Sequence, residues 1–368
     1  MTVVKTNWNP VTTFLDSAIA AGAAPGAVLG VSVAGQRYVY ASGRLTRDEP
    51  APAEPTTVYD LASLTKVVGL TTAVMLAVDD GKLELDAPVQ RYVPAFEGEG
   101  KERVTIRLLL AHGSGLPAWR PLFREAETRE QAFALADTTA LSSPPGTTDA
   151  YSDLGMIVLT QAVEAVYHER LDSLLARRVF QPLGMTSVGF LPTAERARIA
   201  PTELDPWRVR VLRGEVHDEN AARLDGVSGH AGLFGSAPDL LTFAEWMVEG
   251  WKGGTREGRN EGKHSILPSF PPSLFHEFTR RQNIIPGSRR ALGWDTPSPG
   301  SSAGKLLSPE SIGHTGFTGT SLWIDPVHRL AIVLLSNRVN PTRDNSAWAP
   351  VRATIADLVM TTLFEDLR

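Results

Sequence analysis

The 368-residue chain contains no cysteine. That absence excludes disulfides, a thiolate nucleophile and cysteine-held metal or iron–sulfur centres, and it agrees with a cytoplasmic location, which is the expectation here. Extended basic runs are also missing. Adjacent arginines occur only as Arg177-Arg178, Arg280-Arg281 and Arg289-Arg290. With a net charge of −5 and a pI near 5.9, nucleic acid is not an expected partner. The eight histidines include no His-x-x-x-His pair, so His217-Asp218-Glu219-Asn220 has little support as a zinc site, and no metal is expected. Residues 17–36 carry no charge and are long enough to suggest a membrane span. Gly22, Pro25, Gly26, Gly30 and Gly35 break that run, and Pro25-Gly26 reads as a turn between a helix and a strand. Asn7, Asn9, Pro10 and Asp16 leave no apolar core for a signal peptide. Neither a membrane span nor an export signal is expected, and internal repeats are not evident.

What is present is an ordinary apolar fraction of 42%, enough for a large core. Asn9-Pro10 opens a first helix with Val11, Phe14, Leu15 and Ile19 inward. Val28 to Val33 and Arg37 to Ala41 form a hairpin, preceding a strand-like Thr56 to Tyr59. A helix follows Ser63, with Val67, Leu70, Val74, Met75 and Val78 at helical spacing and a stop at Asp79-Asp80-Gly81. Leu108 to His112, Glu125 to Leu141, Leu154 to Tyr167 and Leu171 to Phe180 are further helices. Residues 253–273 and 296–304 read as surface loops. Ser321 to Asp325 and Leu330 to Ser336 form a second strand pair, and 351–364 a closing helix. Strands at both ends with helices between predict an α+β chain, one antiparallel sheet beside a helical region. The division expected is 1–65 with 215–368 as the sheet region and 66–214 as the mainly helical one.

Ser63-Leu64-Thr65-Lys66 carries the chemistry. Positions i and i+3 share a helix face, so hydroxyl and amine can meet. Serine needs a neighbouring base, and a lysine base must lose its proton, a cost of roughly 4.6 kcal/mol at pH 7. A helix N-terminus and burial both push that pKa down. The plainer reading of Ser63 is an N-cap, and Ser302-Ala303-Gly304-Lys305 has the same spacing in a loop. Tyr151-Ser152-Asp153 follows the turn at Ser143-Pro144-Pro145-Gly146. There Tyr151 can relay a proton and Asp153 can hold the Lys66 amine, or Asp153 can simply cap a helix. Gly313 to Gly319 and Val227 to Gly235 are glycine-rich segments that suit close backbone approach to a ligand, or tight turns. Gly300-Ser301-Ser302-Ala303-Gly304 mimics a nucleophile elbow but lacks the strand before it and the helix after it.

In order, Ser63-x-x-Lys66, Tyr151-x-Asp153 and His314-Thr315-Gly316 resemble the three elements of the serine β-lactamase and penicillin-binding protein superfamily. The tyrosine form of the second element is similar to class C β-lactamases, their esterase relatives and DD-peptidases. Leu110 to Pro117, Pro182 to Met185 and Gly229 to Gly235 support the resemblance, which covers roughly residues 10–364. It implies an antiparallel sheet flanked by helices beside an all-helical region, with the site between them. Ser63 would attack a carbonyl and form an acyl-enzyme, with Lys66 and Tyr151 sharing the base role. The backbone N–H groups of Ser63 and Phe317 would form the oxyanion hole, and no cofactor would be needed. Two departures bear on substrate. Asp153 stands where many members have asparagine, which would raise the Lys66 pKa and shift base duty to Tyr151 or require a neutral Asp153. His314 stands where β-lactamases have lysine, and it would be only about a quarter protonated at pH 7, so a substrate carboxylate would bind more weakly. Arg338 and Arg343 are candidates for a substitute charge. The expected activity is esterase-type hydrolysis of small carboxylic esters with weak β-lactamase activity. The alternatives are a DD-carboxypeptidase, amidase or β-lactamase, and a catalytically inactive binding protein.

Overall fold

The computed structural model describes residues 6–251 and 270–364. The chain begins with α1 (Asn9–Ala20), then the hairpin β1 (Gly26–Val33) and β2 (Gln36–Gly43), and the short β3 (Tyr59–Asp60). Helices α2 (Thr72–Asp79), α3 (Ile106–Leu110), α4 (Leu122–Glu125), α5 (Arg129–Thr138), α6 (Asp153–Tyr167) and α7 (Leu171–Leu175) follow. Next come β4 (Gly189–Phe190), β5 (Leu204–Asp205), β6 (Arg210–Val211), α8 (Glu219–Arg223), β7 (Leu233–Gly235), α9 (Ala237–Trp251) and α10 (Pro272–Thr279). The last elements are β8 (Ile312–Thr315), β9 (Ser321–Asp325), β10 (Leu330–Ser336) and α11 (Ala349–Leu363).

Five strands form an antiparallel sheet in the order β2-β1-β10-β9-β8. The two terminal hairpins meet where β1 pairs with β10, Val31 opposite Ile332. Both central strands are buried on both faces, and their alternation sorts side chains into two cores. Ala27, Leu29, Val31, Ile332 and Leu334 pack with Val11 and Leu15 of α1 and Ile355 and Val359 of α11. Val28, Val333 and Leu335 face the larger core with Leu240, Leu241 and Ala244 of α9. At Gly30 a side chain would press on Leu241 and Ala237, so glycine lets α9 lie close to the sheet. The result is a sheet between helical layers.

The larger core continues without a break into the helical region. Leu70, Val74 and Met75 pack with Ile157, Leu159 and Val163 of α6 and Leu174 and Leu175 of α7. Each such side chain, fully withdrawn from water, contributes about 1.5–3 kcal/mol. Because one core joins both regions, the division into 1–65 with 215–368 and 66–214 stays a proposal. Helix Glu125 to Leu141 is in fact two helices, α4 and α5, because Thr128 accepts a bond from the Gln131 N–H and starts a new one. The strand expected over Thr56 to Tyr59 shrinks to β3, paired with β7. Most of the loop expected over 253–273 lies outside the described residues, and Pro272 already begins α10.

Candidate active site

Ser63 lies just after β3 on a tightly held turn. Ala62 before it has φ +47°, a left-handed conformation that costs a non-glycine residue roughly 1–2 kcal/mol. Three bonds hold it there. The Asp60 carboxylate accepts from the Ala62 N–H at 2.8 Å, Thr320 Oγ1 donates to the Leu61 carbonyl at 2.9 Å, and Thr318 Oγ1 donates to the Asp60 carbonyl at 2.8 Å. The two threonines come from the turn between β8 and β9, so the end of β8 is fastened to the Ser63 loop. A Cβ at Gly316 would collide with Thr320 Oγ1 and the Leu61 carbonyl, so only glycine permits this approach.

Beyond Ser63 the backbone runs in wide π-type turns from Lys66 to Thr71 before α2 begins. Lys66 is completely buried. Its Nζ donates to Ser63 Oγ at 3.0 Å and to the His230 carbonyl at 2.9 Å, and meets Asp153 Oδ1 at 2.7 Å. Asp153 is free to do this because Ser152, not Asp153, caps α6, its Oγ accepting from the Gly155 N–H at 3.1 Å. Ser63 likewise is no simple cap, since its Oγ faces the Lys66 amine. The His230 carbonyl is fixed by its own ring, which bridges Ser228 Oγ at 2.7 Å and Asp218 Oδ1 at 2.8 Å.

The Tyr151 ring stands 4.8 Å from Lys66 Nζ, between the rings of His112 at 4.6 Å and His314 at 5.8 Å. His112 Nδ1 accepts from the Ser152 N–H at 3.1 Å, which puts its proton on Nε2 and ties the ring to the tyrosine loop.

The electrostatics favour one of two sequence expectations at Lys66 and depart from the expectation at His314. Burial alone would lower the Lys66 pKa, but Asp153 and Tyr151 outweigh it, and the pKa rises. The resting amine is therefore an ammonium. The effect expected of Asp153 is the one that holds, and the lowering expected from burial and a helix end does not, because the carboxylate compensates burial and the turns after Ser63 are not α-helical. His314 is not partly protonated at pH 7. Burial first, then the nearby cations Lys66 and Arg290, bring its pKa down to about 4, despite the opposing pull of Asp295. Its Nδ1–H donates to the Thr315 carbonyl at 2.8 Å, leaving Nε2 as an acceptor. Burial likewise raises the Tyr151 pKa, against the pull of Lys66, so Tyr151 is a neutral phenol.

Among the described residues the N–H groups of Ser63 and Phe317 donate to no other group of the chain. Both residues line a cavity of about 410 Å³, together with Tyr151, His314 and Thr315. Three arginines also line it. Arg338 is one of the two considered from sequence. The other, Arg343, is held by Glu203 and Glu219. Arg290 and Arg352 were not anticipated, and no local spacing marks them. Arg290 lies 5.4 Å from the Tyr151 ring and pairs with Asp149 and Asp295.

A five-stranded antiparallel sheet between helices, joined to a helical region with a Ser-x-x-Lys turn at the junction, defines the β-lactamase and transpeptidase fold. The chain matches the Beta-lactamase family model over residues 11–357 and belongs to that family. It is 32% identical over 324 residues to an Escherichia coli (strain K12) protein whose description, D-alanyl-D-alanine carboxypeptidase, is itself provisional. That match spans 80% of this chain and 72% of the relative. Among solved structures, EstCE1, a hydrolase with promiscuous acyltransferase activity, is 25% identical with a TM-score of 0.72, covering 95% of this chain and 97% of EstCE1. A penicillin-binding protein homologue from Caulobacter crescentus reaches a TM-score of 0.75 at 20% identity over 99% of each chain, which shows shared fold alone. The chain is accordingly a serine hydrolase of this family. Among the described residues no helix is long and apolar enough to cross a membrane.

Proposed function

We propose that the chain hydrolyses small carboxylic esters through an acyl-enzyme on Ser63, with weak activity on β-lactams. The observation that supports the chemistry best is the buried Lys66 amine, in contact with Ser63 Oγ and Asp153 at once. Ser63 Oγ forms a bond to the substrate carbonyl carbon and its proton passes to the base. The carbonyl becomes an oxyanion, received by the N–H groups of Ser63 and Phe317, each worth about 2.7–4 kcal/mol. Collapse expels the alcohol, which regains the proton, and water then releases the acid by the same route. In the resting state neither Lys66 nor Tyr151 is a free base. Loss of the Lys66 proton to water in the cleft produces a neutral amine beside Ser63, and Asp153, which holds the ammonium until then, has a supporting role. The neutral His314 supports the preference for esters, because no fixed charge stands at that position to hold a β-lactam carboxylate.

A carboxypeptidase or β-lactamase reading draws on a different observation, the arginines on the far side of Phe317 together with the Escherichia coli relative. A panel of 4-nitrophenyl butyrate, nitrocefin and a D-Ala-D-Ala peptide separates the two. Cleavage of the butyrate is expected to dominate; cleavage of the peptide alone would replace the ester reading with the second. A fluorophosphonate probe is expected to add to Ser63, and an unmodified Ser63 in mass spectrometry would end both.

A further inference from the structure

The run His217 to Asn220, set aside above as a zinc motif, touches the machinery around Ser63 from three sides. The His217 N–H donates to one Asp60 oxygen at 2.6 Å, and the other Asp60 oxygen holds the Ala62 turn. Asn220 accepts from the Phe123 N–H at 3.0 Å and donates to the Arg120 carbonyl at 2.9 Å. Close by in the chain, the Ala118 carbonyl accepts from the Asp153 N–H at 2.9 Å. Between His217 and Asn220, Asp218 reaches furthest. Its Oδ1 accepts the Ala221 N–H at 2.7 Å, which caps α8, and meets His230 Nε2 at 2.8 Å. The carbonyl of the same His230 receives the Lys66 amine at 2.9 Å. Only the body of His230 thus separates the Asp218 carboxylate from the amine beside Ser63. Burial alone would raise the Asp218 pKa, but His230, the Ala221 N–H and the Lys66 charge bring it well below the usual carboxylate range. Asp218 is therefore ionised at neutral pH and accepts from the Nε2–H of the ring.

Ser228, His230 and Asp218 are joined in a row, as in a Ser–His–Asp triad, but no substrate is attacked there. Ser228 and His230 are buried, and the ring meets its acid through Nε2 and its serine through Nδ1, the reverse of a working triad. The row serves the backbone instead. A carbonyl in a glycine-rich segment turns easily unless its neighbours are fixed. Here the Gly229 N–H is held by Thr160 Oγ1 at 2.8 Å and the Leu233 N–H by Thr65 Oγ1 at 3.1 Å. A Cβ at Gly229 would lie 2.4 Å from Leu70, so the segment lies close against the turns after Ser63. The His230 ring, anchored to a charged acceptor, fixes the residue in between. We infer that Asp218 and His230 are positioning residues for the reaction: the carboxylate fixes the ring, the ring fixes its own carbonyl, and the carbonyl keeps the Lys66 amine at Ser63 Oγ. This deepens the reading above and rests on Ser63 as the nucleophile. The amine ends a flexible four-carbon stem, and Asp153 draws it from one side. Without a fixed acceptor on the carbonyl side the amine follows that pull, and a misplacement of about 1 Å at such a site costs on the order of a hundredfold in rate. Neither Asp218 nor His230 lines the cavity at Ser63, so both act through Lys66.

The test separates the bond to His230 from the cap on α8. Asp218→Ser keeps a helix cap but withdraws the acceptor from the ring, whereas Asp218→Asn keeps both. His230→Leu removes the ring's bonds altogether. Each protein turns over 4-nitrophenyl butyrate, and kcat is counted per Ser63 that a fluorophosphonate finally labels, which removes unfolded protein from the comparison. In Asp218→Ser and His230→Leu, kcat is expected to fall by about tenfold or more while KM stays within about twofold. In Asp218→Asn, kcat is expected to stay within about threefold of wild type, because the ring keeps its acceptor. Asp218 is partly open to solvent, so Asp218→Ser carries the test if His230→Leu does not fold. An unchanged kcat per labelled Ser63 in Asp218→Ser overturns the inference. So does a change confined to KM, or a loss in Asp218→Asn as large as in Asp218→Ser, which would leave the carboxylate charge rather than the bond as the cause. A fluorophosphonate adduct on Ser228 overturns it as well, since the row would then be a nucleophilic site of its own. If no ester is cleaved and Ser63 stays unlabelled, the hydrolase reading fails by itself. Crystal structures of the wild type and Asp218→Ser then decide the positioning: a Lys66 amine moved from Ser63 Oγ by more than about 0.5 Å upholds it, and an amine in place rejects it.

Discussion

The two walls of the cleft treat positive charge in opposite ways. On the helical side Lys66 is enclosed and neutralised from within, with Asp153 at 2.7 Å. On the sheet side Arg338 and Arg352 stand near the Phe317 peptide with only carbonyl oxygens to satisfy them. A cation that must lose its proton during a reaction is held here by a carboxylate and a hydroxyl. Cations that stay charged throughout are held by backbone oxygens instead, and in return they fix the Gly316–Phe317 backbone that borders the cleft.

Removing the nucleophile breaks the comparison outright. Ser63→Ala is expected to lower kcat on 4-nitrophenyl butyrate by about 10⁴-fold or more with the melting temperature nearly unchanged. Turnover close to wild type would move the chemistry elsewhere. The next effect concerns His314 on the sheet wall. Its pKa is about 4 in the folded chain and near 6.5 unfolded. A base whose folded pKa is depressed takes up protons in the unfolded state first, so its stabilising effect is complete above pH 6.5 and is lost as pH falls towards 4. The full shift amounts to about 3 kcal/mol. In denaturant titrations across that window, His314→Gln is expected to flatten the loss; an unchanged slope would show that His314 does not titrate there. On the helical wall, Asp153→Asn removes the larger of the two influences that raise the Lys66 pKa, while burial still lowers it. The rising limb of the kcat/KM pH profile is then expected to move at least one unit to the acid side, roughly tenfold in rate at a fixed pH on that limb. A limb that stays in place would take Lys66 out of the base role. Smallest is a gain in stability. Arg352→Met removes a largely buried cation from beside Arg338, and about 1 kcal/mol of added stability is expected by chemical denaturation. A loss of that size would show that the Gly316 contact outweighs the repulsion.

How far all this was legible in the chain depends on the range of the interaction. Val28 to Val33 and Leu330 to Ser336 are short apolar runs, and Pro25-Gly26 is a turn signal, and the centre of the sheet follows from them. β8 was missed as a strand because Gly313 and His314 lack the usual strand composition, and its pairing with β9 supplies what they do not. β3, β4 and β7 are two or three residues long, too short for any periodicity. At the site, Ser63, Lys66, Tyr151, Asp153 and His314 stand out by spacing, and the fold brings them together. Whether an arginine has an acid beside it is a property of tertiary contacts alone. Arg352 reads like any other charge on a helix, and nothing local distinguishes it from Arg343, which turns out to be occupied.

One count follows from the position of Lys66. An ammonium has three N–H bonds, and here Ser63 Oγ, the His230 carbonyl, Asp153 and the Tyr151 hydroxyl compete for them. A neutral amine has two, plus a lone pair. Once the proton leaves, one neighbour must face that lone pair, and a carbonyl or carboxylate oxygen has no hydrogen to offer it. The hydroxyls of Ser63 and Tyr151 are the neighbours able to turn round and become the donor. Where the serine takes that place, deprotonating the amine reverses the direction of the bond between them, and the alcohol arrives with its hydrogen already aimed at the group that will remove it.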